Sequence, residues 1–292
     1  MTNRHAYMVI AHDQEEILVK LLQKLDCINN DIVLHIDKKS SINRERLLRV
    51  CQKSKVNLCE SVKVQWGGYS QIKATINCLK AAAKMGNHMF YHLLTGMDLP
   101  LRSIEDINFF YEKHDGKIFL SLAGREECKK QFKKRLLYPH LLREYCGNKK
   151  NIFTVINRAL WLLGLLFHVK NTRIDENDFC FGNAYWDLPE DVVNDLIMNE
   201  KQLEKIYKFS LCCDEAFVHT FVAGNETYSN RIYDCNFGNA EKGNMRYVRM
   251  NELGNAAYLT KEDILIAKEK GCLFARKFEH ASYKELKEIL DN

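Results

Sequence analysis

Between residues 6 and 114, short apolar runs alternate with stretches of helical periodicity, and this rhythm limits the fold more than any other feature of the chain. The runs are "AYMVIAH" (6–12), "DIVLHID" (31–37), "VKVQW" (62–66) and "HMFYHLLTG" (88–96). Each is short and apolar, as a strand buried on both faces must be. Between and after them lie predicted helices over 14–25, 44–53, 70–84 and 103–114, with Ser70 and Ser103 as the caps of the last two. Strand and helix alternating in this way predict an α/β fold with a Rossmann-like, mostly parallel central sheet flanked by helices. Such sheets bind ligands at the carboxyl ends of their strands. Here those ends carry His12 and Asp13, Asp37, Trp66 with Gly67 and Gly68, and Gly96 to Asp98. No GxGxxG follows the first strand and no Walker loop is present, so dinucleotide and P-loop sites are excluded.

The second half is less regular. "FCFGNAYWDLP" (179–189) mixes aromatic and small residues, 190–209 is periodic enough for one helix, and 212–224 begins with Asp214 and Glu215 before continuing as an amphipathic helix. "MRYVRM" (245–250) predicts a strand, 260–271 a helix capped by Thr260, and "LFARKF" a last strand. Only three prolines occur, at 100, 139 and 189, and no linker divides the 292 residues, which predicts a single domain. The net charge of +5 is dispersed apart from "KKQFKKR" (129–135) and "GNKK" (147–150), a pattern that speaks against a nucleic-acid partner. A phosphate-bearing small molecule or an anionic membrane surface fits as well. Eleven scattered cysteines with no CxxC predict reduced thiols and a cytoplasmic protein, and the start of the chain, "MTNRHAYMVIAH", is taken up by a strand rather than a signal peptide. The stretch 152–169 is strongly apolar but holds Asn157 and Arg158, and its clean run from Ala159 to Val169 falls short of the about twenty residues needed to span a bilayer. It is either a covered helix or a patch resting on a membrane, flanked by Lys149, Lys150, Lys170 and Arg173.

Several residues carry chemistry in one reading and structure in another. Asp214 and Glu215 suit a helix cap and its dipole, or a base that takes a proton from a hydroxyl. Asp98 in "LLTGMDLPLR" caps a βα turn or faces a ligand; it has no Asp-x-Asp partner to hold a metal-bridged diphosphate. Trp66 and Trp186 are core, or aromatic walls for a base or a sugar. His12 suits a satisfied strand-end histidine. Arg276 and Lys277 are adjacent cations between Ala275 and Phe278, where a strand would send them to opposite sides.

Seven segments in order, "AYMVIAH", "LHIDKKS", "WGGYSQIKAT", "YHLLTGMDLPLRS", "FGNAYWDLP", "CDEAFVHTF" and "LFARKFE", make the chain resemble the core-2/I-branching β-1,6-N-acetylglucosaminyltransferases and peptide O-xylosyltransferases. The resemblance implies a GT-A-like fold and inverting transfer of N-acetylglucosamine or xylose from a UDP-sugar, with no metal or other cofactor. It implies Glu215 as the base, and Arg276 and Lys277, with help from Arg246, as the cations that stabilise the departing diphosphate. Ile10, Asp37, Val64, Gln65, Trp66 and Asp98 fall on donor-binding positions, Tyr185 and Trp186 on the transferred sugar, and Asn255 where relatives have a phosphate-binding serine. Lys134 and Arg135 fall on the acceptor side. On this basis 1–114 is a nucleotide-binding half, 179–292 the catalytic and diphosphate-binding half, and 115–178 a variable, partly apolar insert. With no anchor or disulfide framework like those of the animal enzymes, the expected setting is the bacterial cytoplasm, at the inner face of the membrane, building surface polysaccharide on a saccharide or lipid-linked acceptor. The competing reading is a non-catalytic sugar-nucleotide or glycan-binding protein of the same fold, which would not need Glu215.

Overall fold

A computed structural model describes residues 3–146, 151–252 and 254–291; "GNKK" with its Lys149 and Lys150 lies outside them. Among the described residues, nine strands form two sheets: β1 (His5–Ala11), β2 (Asn30–Ile36), β3 (Lys55–Leu58), β4 (Phe90–Thr95), β5 (Asp98–Pro100), β6 (Phe119–Leu120), β7 (Trp186–Pro189), β8 (Arg246–Val248) and β9 (Phe274–Arg276). The main sheet runs β3-β2-β1-β4-β7-β6. Its first four strands are parallel, β7 runs antiparallel to β4, and β6 antiparallel to β7. This is the α/β, mostly parallel architecture expected from the strand–helix rhythm. The small sheet, β5-β9-β8, places Asp98 opposite Arg276.

The helices are α1 (Glu15–Leu25), α2 (Arg44–Leu48), α3 (Tyr69–Ala83), α4 (Ile104–Glu112), α5 (Arg125–Phe132), α6 (Arg143–Cys146), α7 (Ile152–Leu166), α8 (Glu190–Met198), α9 (Glu200–Tyr207), α10 (Phe217–Ala223), α11 (Glu226–Ser229), α12 (Ala240–Asn244), α13 (Lys261–Glu269) and α14 (His280–Asp291). Successive strand residues point to opposite faces, and both faces are buried. Tyr7, Val9, Leu34 and Leu94 meet α1, α4, α13 and α14 on one side. Ala6, Met8, Val33 and Leu93 meet α3, α8 and α10 on the other. Helix α1 alone buries Leu18, Leu21, Leu22 and Leu25 completely, each contributing about 1.5–3 kcal/mol of burial.

The caps divide by what else each hydroxyl can reach. Ser103 accepts from the Asp106 amide, and Thr260 forms a reciprocal capping box with Asp263, both as expected. Ser70 is not a cap: α3 starts from Gly68, while the Ser70 hydroxyl accepts from the Gln65 amide (2.8 Å) and donates to the Glu144 carboxylate (2.8 Å). The run 62–66 is not a strand. Its backbone serves the turn after β2 instead, with Val62 accepting from the Lys38 amide and Val64 donating to Asp37, and the third strand forms over Lys55–Leu58. The helix expected over 190–209 breaks at Asn199 into α8 and α9. Helix α14 at the end of the chain has no counterpart in the sequence reading.

Candidate active site

A cavity of about 440 Å³ opens at the carboxyl ends of β1, β2 and β4, within the size range of small-molecule sites. The sheet makes its floor through Ile10, Ala11, Thr95 and Gly96. Gly96 is obligatory there: a Cβ would sit 2.7 Å from that of Ala11, so any larger residue would push the β4 turn off the end of β1.

Asp37 follows β2 directly. Its carboxylate accepts from the amides of Lys39 (2.8 Å) and Val64 (3.3 Å), which ties the turn after β2 to the 62–66 segment. Lys39 also lines the cavity, with its Nζ on the Val64 carbonyl and 3.8 Å from Asp37. Lys39 carries no motif of its own, although it stands two residues after the expected donor-binding Asp37. Trp66 lines the cavity with just over half its surface exposed, and the Arg143 guanidinium lies 5.2 Å from its ring centre. Gly67, at φ +74°, donates to the Gln71 side chain and accepts from the Cys212 amide (2.8 Å). Through Arg143 and Glu144, α6 of the 115–178 segment therefore holds the Trp66–Gly68 loop in place.

On the opposite wall a 3-10 turn, Cys213–Glu215, carries the two acids into the cavity. Glu215 Oε2 lies 2.5 Å from Arg135 Nη1, and its side chain is about a third exposed. Arg135 also donates to the Cys212 carbonyl (2.9 Å) and stacks over Phe181 at 4.4 Å. Burial opposes the Arg135 charge, but Glu215 outweighs it and holds the guanidinium above its ordinary value. Arg135 sits in a π-turn, Lys133–Leu137, a distortion frequent at functional sites. Asp214 is not a cap: α10 begins from Ala216, and the Asp214 carboxylate instead accepts from Gln71 Nε2 (2.9 Å). Burial, then the neighbouring Glu215 charge, pushes the Asp214 carboxyl up. Gln71 thus bridges the glycine loop and the acidic pair, a role no spacing rule announces.

Arg276 closes the third side. Its guanidinium lies 4.8 Å from the centre of the Tyr185 ring, and its Nε is 3.7 Å from Asp98 and has no hydrogen-bond partner among the described residues. Burial pulls this guanidinium below its ordinary value, with Asp98 opposing. Asp98 itself is turned away, accepting from the amide (2.9 Å) and hydroxyl (2.6 Å) of Thr95. Asn255 lines the cavity from a loop closed by its hydrogen bonds with Asn251.

Eight of the predicted residues therefore meet at one cavity: Ile10, Asp37, Val64, Trp66, Tyr185, Glu215, Asn255 and Arg276. Arg135 reaches it through Glu215. Gln65 does not line it. Lys277 is set over the Tyr258 ring at 4.9 Å, and Lys134 is exposed to solvent. Three expectations are corrected. Trp186 is fully buried in the core behind Tyr185. Arg246 is 2 % exposed and grips Asp187 through both Nη atoms, at 2.6 and 2.8 Å, while also donating to the Leu93 and Asn244 carbonyls. Its charge is spent inside the protein and cannot reach a cavity ligand. His12 is exposed, 3.4 Å from the Asp13 carboxylate, rather than satisfied inside the fold. Among the described residues, no three His, Cys, Asp or Glu side chains converge as a metal-holding group.

Compared with known proteins, residues 5–259 match the family described as Core-2/I-Branching enzyme. The chain belongs to this family. It is a family of glycosyltransferases. Relatives include Xylosyltransferase 2 of Rattus norvegicus, 22% identical over 99% of this chain and 33% of the relative, and that of Canis lupus familiaris, 23% identical with the same coverage. The chain thus spans about a third of the length of the curated relatives it matches. Among solved structures, mouse Xyloside xylosyltransferase 1 in its apo form matches with TM-score 0.34 and 11% identity, covering 76% of this chain and 82% of that one. S. aureus TarS 1–349 matches with TM-score 0.31 and 18% identity, covering 49% of this chain and 43% of that one. Neither informs the site.

Proposed function

We propose that this family member is an inverting glycosyltransferase that moves N-acetylglucosamine or xylose from a UDP-sugar to an acceptor hydroxyl without a metal. The reading is carried by one juxtaposition: the Glu215 carboxylate and the Arg276 guanidinium, whose Nε has no hydrogen bond among the described residues, line the same cavity. Glu215 takes the proton of the acceptor hydroxyl as its oxygen bonds to the anomeric carbon. The bond from that carbon to the phosphate oxygen breaks on the opposite face, and UDP leaves with the electron pair. One carboxylate suffices for such a single displacement. Arg276 meets the charge that develops on the diphosphate, and a guanidinium fork suits phosphate oxygens. Lys277, next in the chain, and Asn255 are proposed as further phosphate contacts, Asp37 as the acceptor of a uracil hydrogen bond, and Tyr185 as a wall for the transferred sugar.

Arg135 pairs with Glu215 in the free protein, so binding of the acceptor exchanges that contact for the hydroxyl. The acceptor class is a saccharide or lipid-linked glycan, and bacterial surface polysaccharide synthesis is the setting proposed. The deciding experiment measures UDP release from a panel of UDP-sugars in the presence of EDTA, for the native protein and Glu215→Gln. EDTA-resistant turnover with one donor, lost in Glu215→Gln while UDP still binds, is the expected result. Sensitivity to EDTA would overturn the role given to Arg276. Turnover that survives in Glu215→Gln would overturn the assignment of the base.

A further inference from the structure

Helix α7 reverses the usual amphipathic pattern. A surface helix of a globular protein turns its apolar stripe inward and its polar residues to water. Here the buried positions are Asn157 and Gly164, with Trp161 half-buried between them at helical spacing. Asn157 accepts from the Leu142 amide (2.9 Å), and Trp161 stacks on His140. The leucines face out: Leu162, Leu163, Leu165 and Leu166 are all exposed, and Phe167 beyond them is 71% exposed. A run of apolar side chains this dense on one element marks an interaction surface rather than scattered surface hydrophobes.

Charge says what the surface meets. Residues 145–174 contain no Asp or Glu, while Arg158, Lys170 and Arg173 stand exposed on or beside α7. Asn171 anchors this end to α9 by donating to the Ile206 carbonyl (3.0 Å). That contact brings Arg173 to a basic hollow shared with Lys201 and Lys205, rimmed by the exposed Met198. A second copy of the chain is a poor occupant. A two-fold contact through α7 would bring like cations together with no carboxylate on the segment to pair them. At about 22 Å the helix is too short to cross a hydrocarbon core of about 30 Å, but it suits lying along one face of it.

We propose that α7 and the following residues to Arg173 form a monotopic docking surface for an anionic bilayer. The leucines and Phe167 enter the acyl boundary, and Arg173, Lys201 and Lys205 receive acidic headgroups. The inference does not rest on the transferase reading, since it can be tested with no donor or acceptor present. The test is co-sedimentation of the full chain with vesicles of phosphatidylcholine alone and of an equal mixture of phosphatidylcholine and phosphatidylglycerol. The native protein is expected to bind the mixed vesicles more strongly, with binding weakened by salt. Leu162→Glu with Leu166→Glu should cut the bound fraction about tenfold or more without changing the melting temperature, because both side chains are exposed. Lys201→Glu with Lys205→Glu should cut binding several-fold to the mixed vesicles and leave binding to neutral ones unchanged. Native protein that stays in the supernatant with both vesicles would overturn the proposal. So would unchanged binding in the leucine variant, or a native dimer by light scattering that the leucine variant dissolves.

Discussion

Two arginine–carboxylate pairs, Arg246 with Asp187 and Arg135 with Glu215, share one chemistry and differ in burial and in what else each partner holds. Arg246 and Asp187 are sealed between the sheet and its helices, 2% and 0% exposed at their side chains. Asp187 also receives the His92 ring (2.8 Å) and the Tyr111 hydroxyl (2.8 Å), and His92 passes on to His5 (2.9 Å). Both carboxylate oxygens are saturated, so nothing is left to offer a ligand. Glu215 stands at the cavity wall, partly in water, with Arg135 behind it on Oε2 and no side-chain partner on Oε1 among the described residues. An arginine near a binding site belongs to the site only if its partner can let it go.

The largest effect should come from breaking the sealed pair. Arg246→Met leaves Asp187 buried without its cation, which is expected to cost about 3–5 kcal/mol of stability. Denaturant unfolding would measure it. UDP affinity in whatever fraction remains folded should stay near native, because Arg246 does not reach the cavity; a variant of native stability that had lost UDP binding would return Arg246 to the site.

The same operation at the cavity wall should spare the fold and strike turnover. Glu215→Gln is expected to lower transfer about 10²–10⁴-fold, the usual worth of a positioned general base, with a stability change under about 1 kcal/mol. The two readouts, melting temperature and UDP release, should therefore move in opposite order for the two pairs.

Acid should separate the pairs again. Burial alone would raise the Asp187 carboxyl, but the Arg246 charge and the hydrogen bonds from His92 and Arg246 reverse this and hold it down to about 2. A folded value below the unfolded one means stability that is fully present above the unfolded value and lost as the carboxyl protonates. The loss should fall between about pH 4 and pH 2 and amount to about 2 kcal/mol. Stability measured against pH should show this component in the native protein and lack it in Asp187→Asn.

The strand ends were legible because buried parallel strands have few ways to be written, and β1, β2 and β4 came with their helices from apolar spacing alone. Ser103 and Thr260 were legible as caps because a cap acts within three residues. Ser70 was not, because its hydroxyl is claimed by Glu144, 74 positions away. Arg246 failed for the same reason: Asp187, which claims it, lies 59 residues earlier, and nothing local in "MRYVRM" distinguishes a buried fork from one that faces a phosphate. The place of Arg276 beside a cavity was readable through "LFARKFE", but that its neighbour Lys277 would settle over Tyr258 was not. The family was legible in short segments and their order; Gln71 and Lys39 lie inside two of those segments, but what they touch, the acidic pair and the 62–66 turn, is set by the fold, and Arg143 comes from outside them altogether.

The smallest expected effect separates the two arginines by geometry alone. Lysine keeps the charge of arginine but loses the planar fork. At position 246 that loss matters, since the fork meets both Asp187 oxygens and two backbone carbonyls at once. At position 135 one Nη serves both the Cys212 carbonyl and Glu215 while Nε donates to Gln131, so only one Nη is engaged, and Glu215 is partly in water. Arg135→Lys should therefore cost less than about 1 kcal/mol of stability, and Arg246→Lys several times more. Turnover in Arg135→Lys should fall by only a few fold, in the KM for the acceptor rather than for the UDP-sugar, because the lysine still neutralises Glu215 but no longer sets its angle. Equal destabilisation by the two substitutions would mean that the Glu215 pair is as structural as the Asp187 pair, and Glu215 would then lose its claim to be the base.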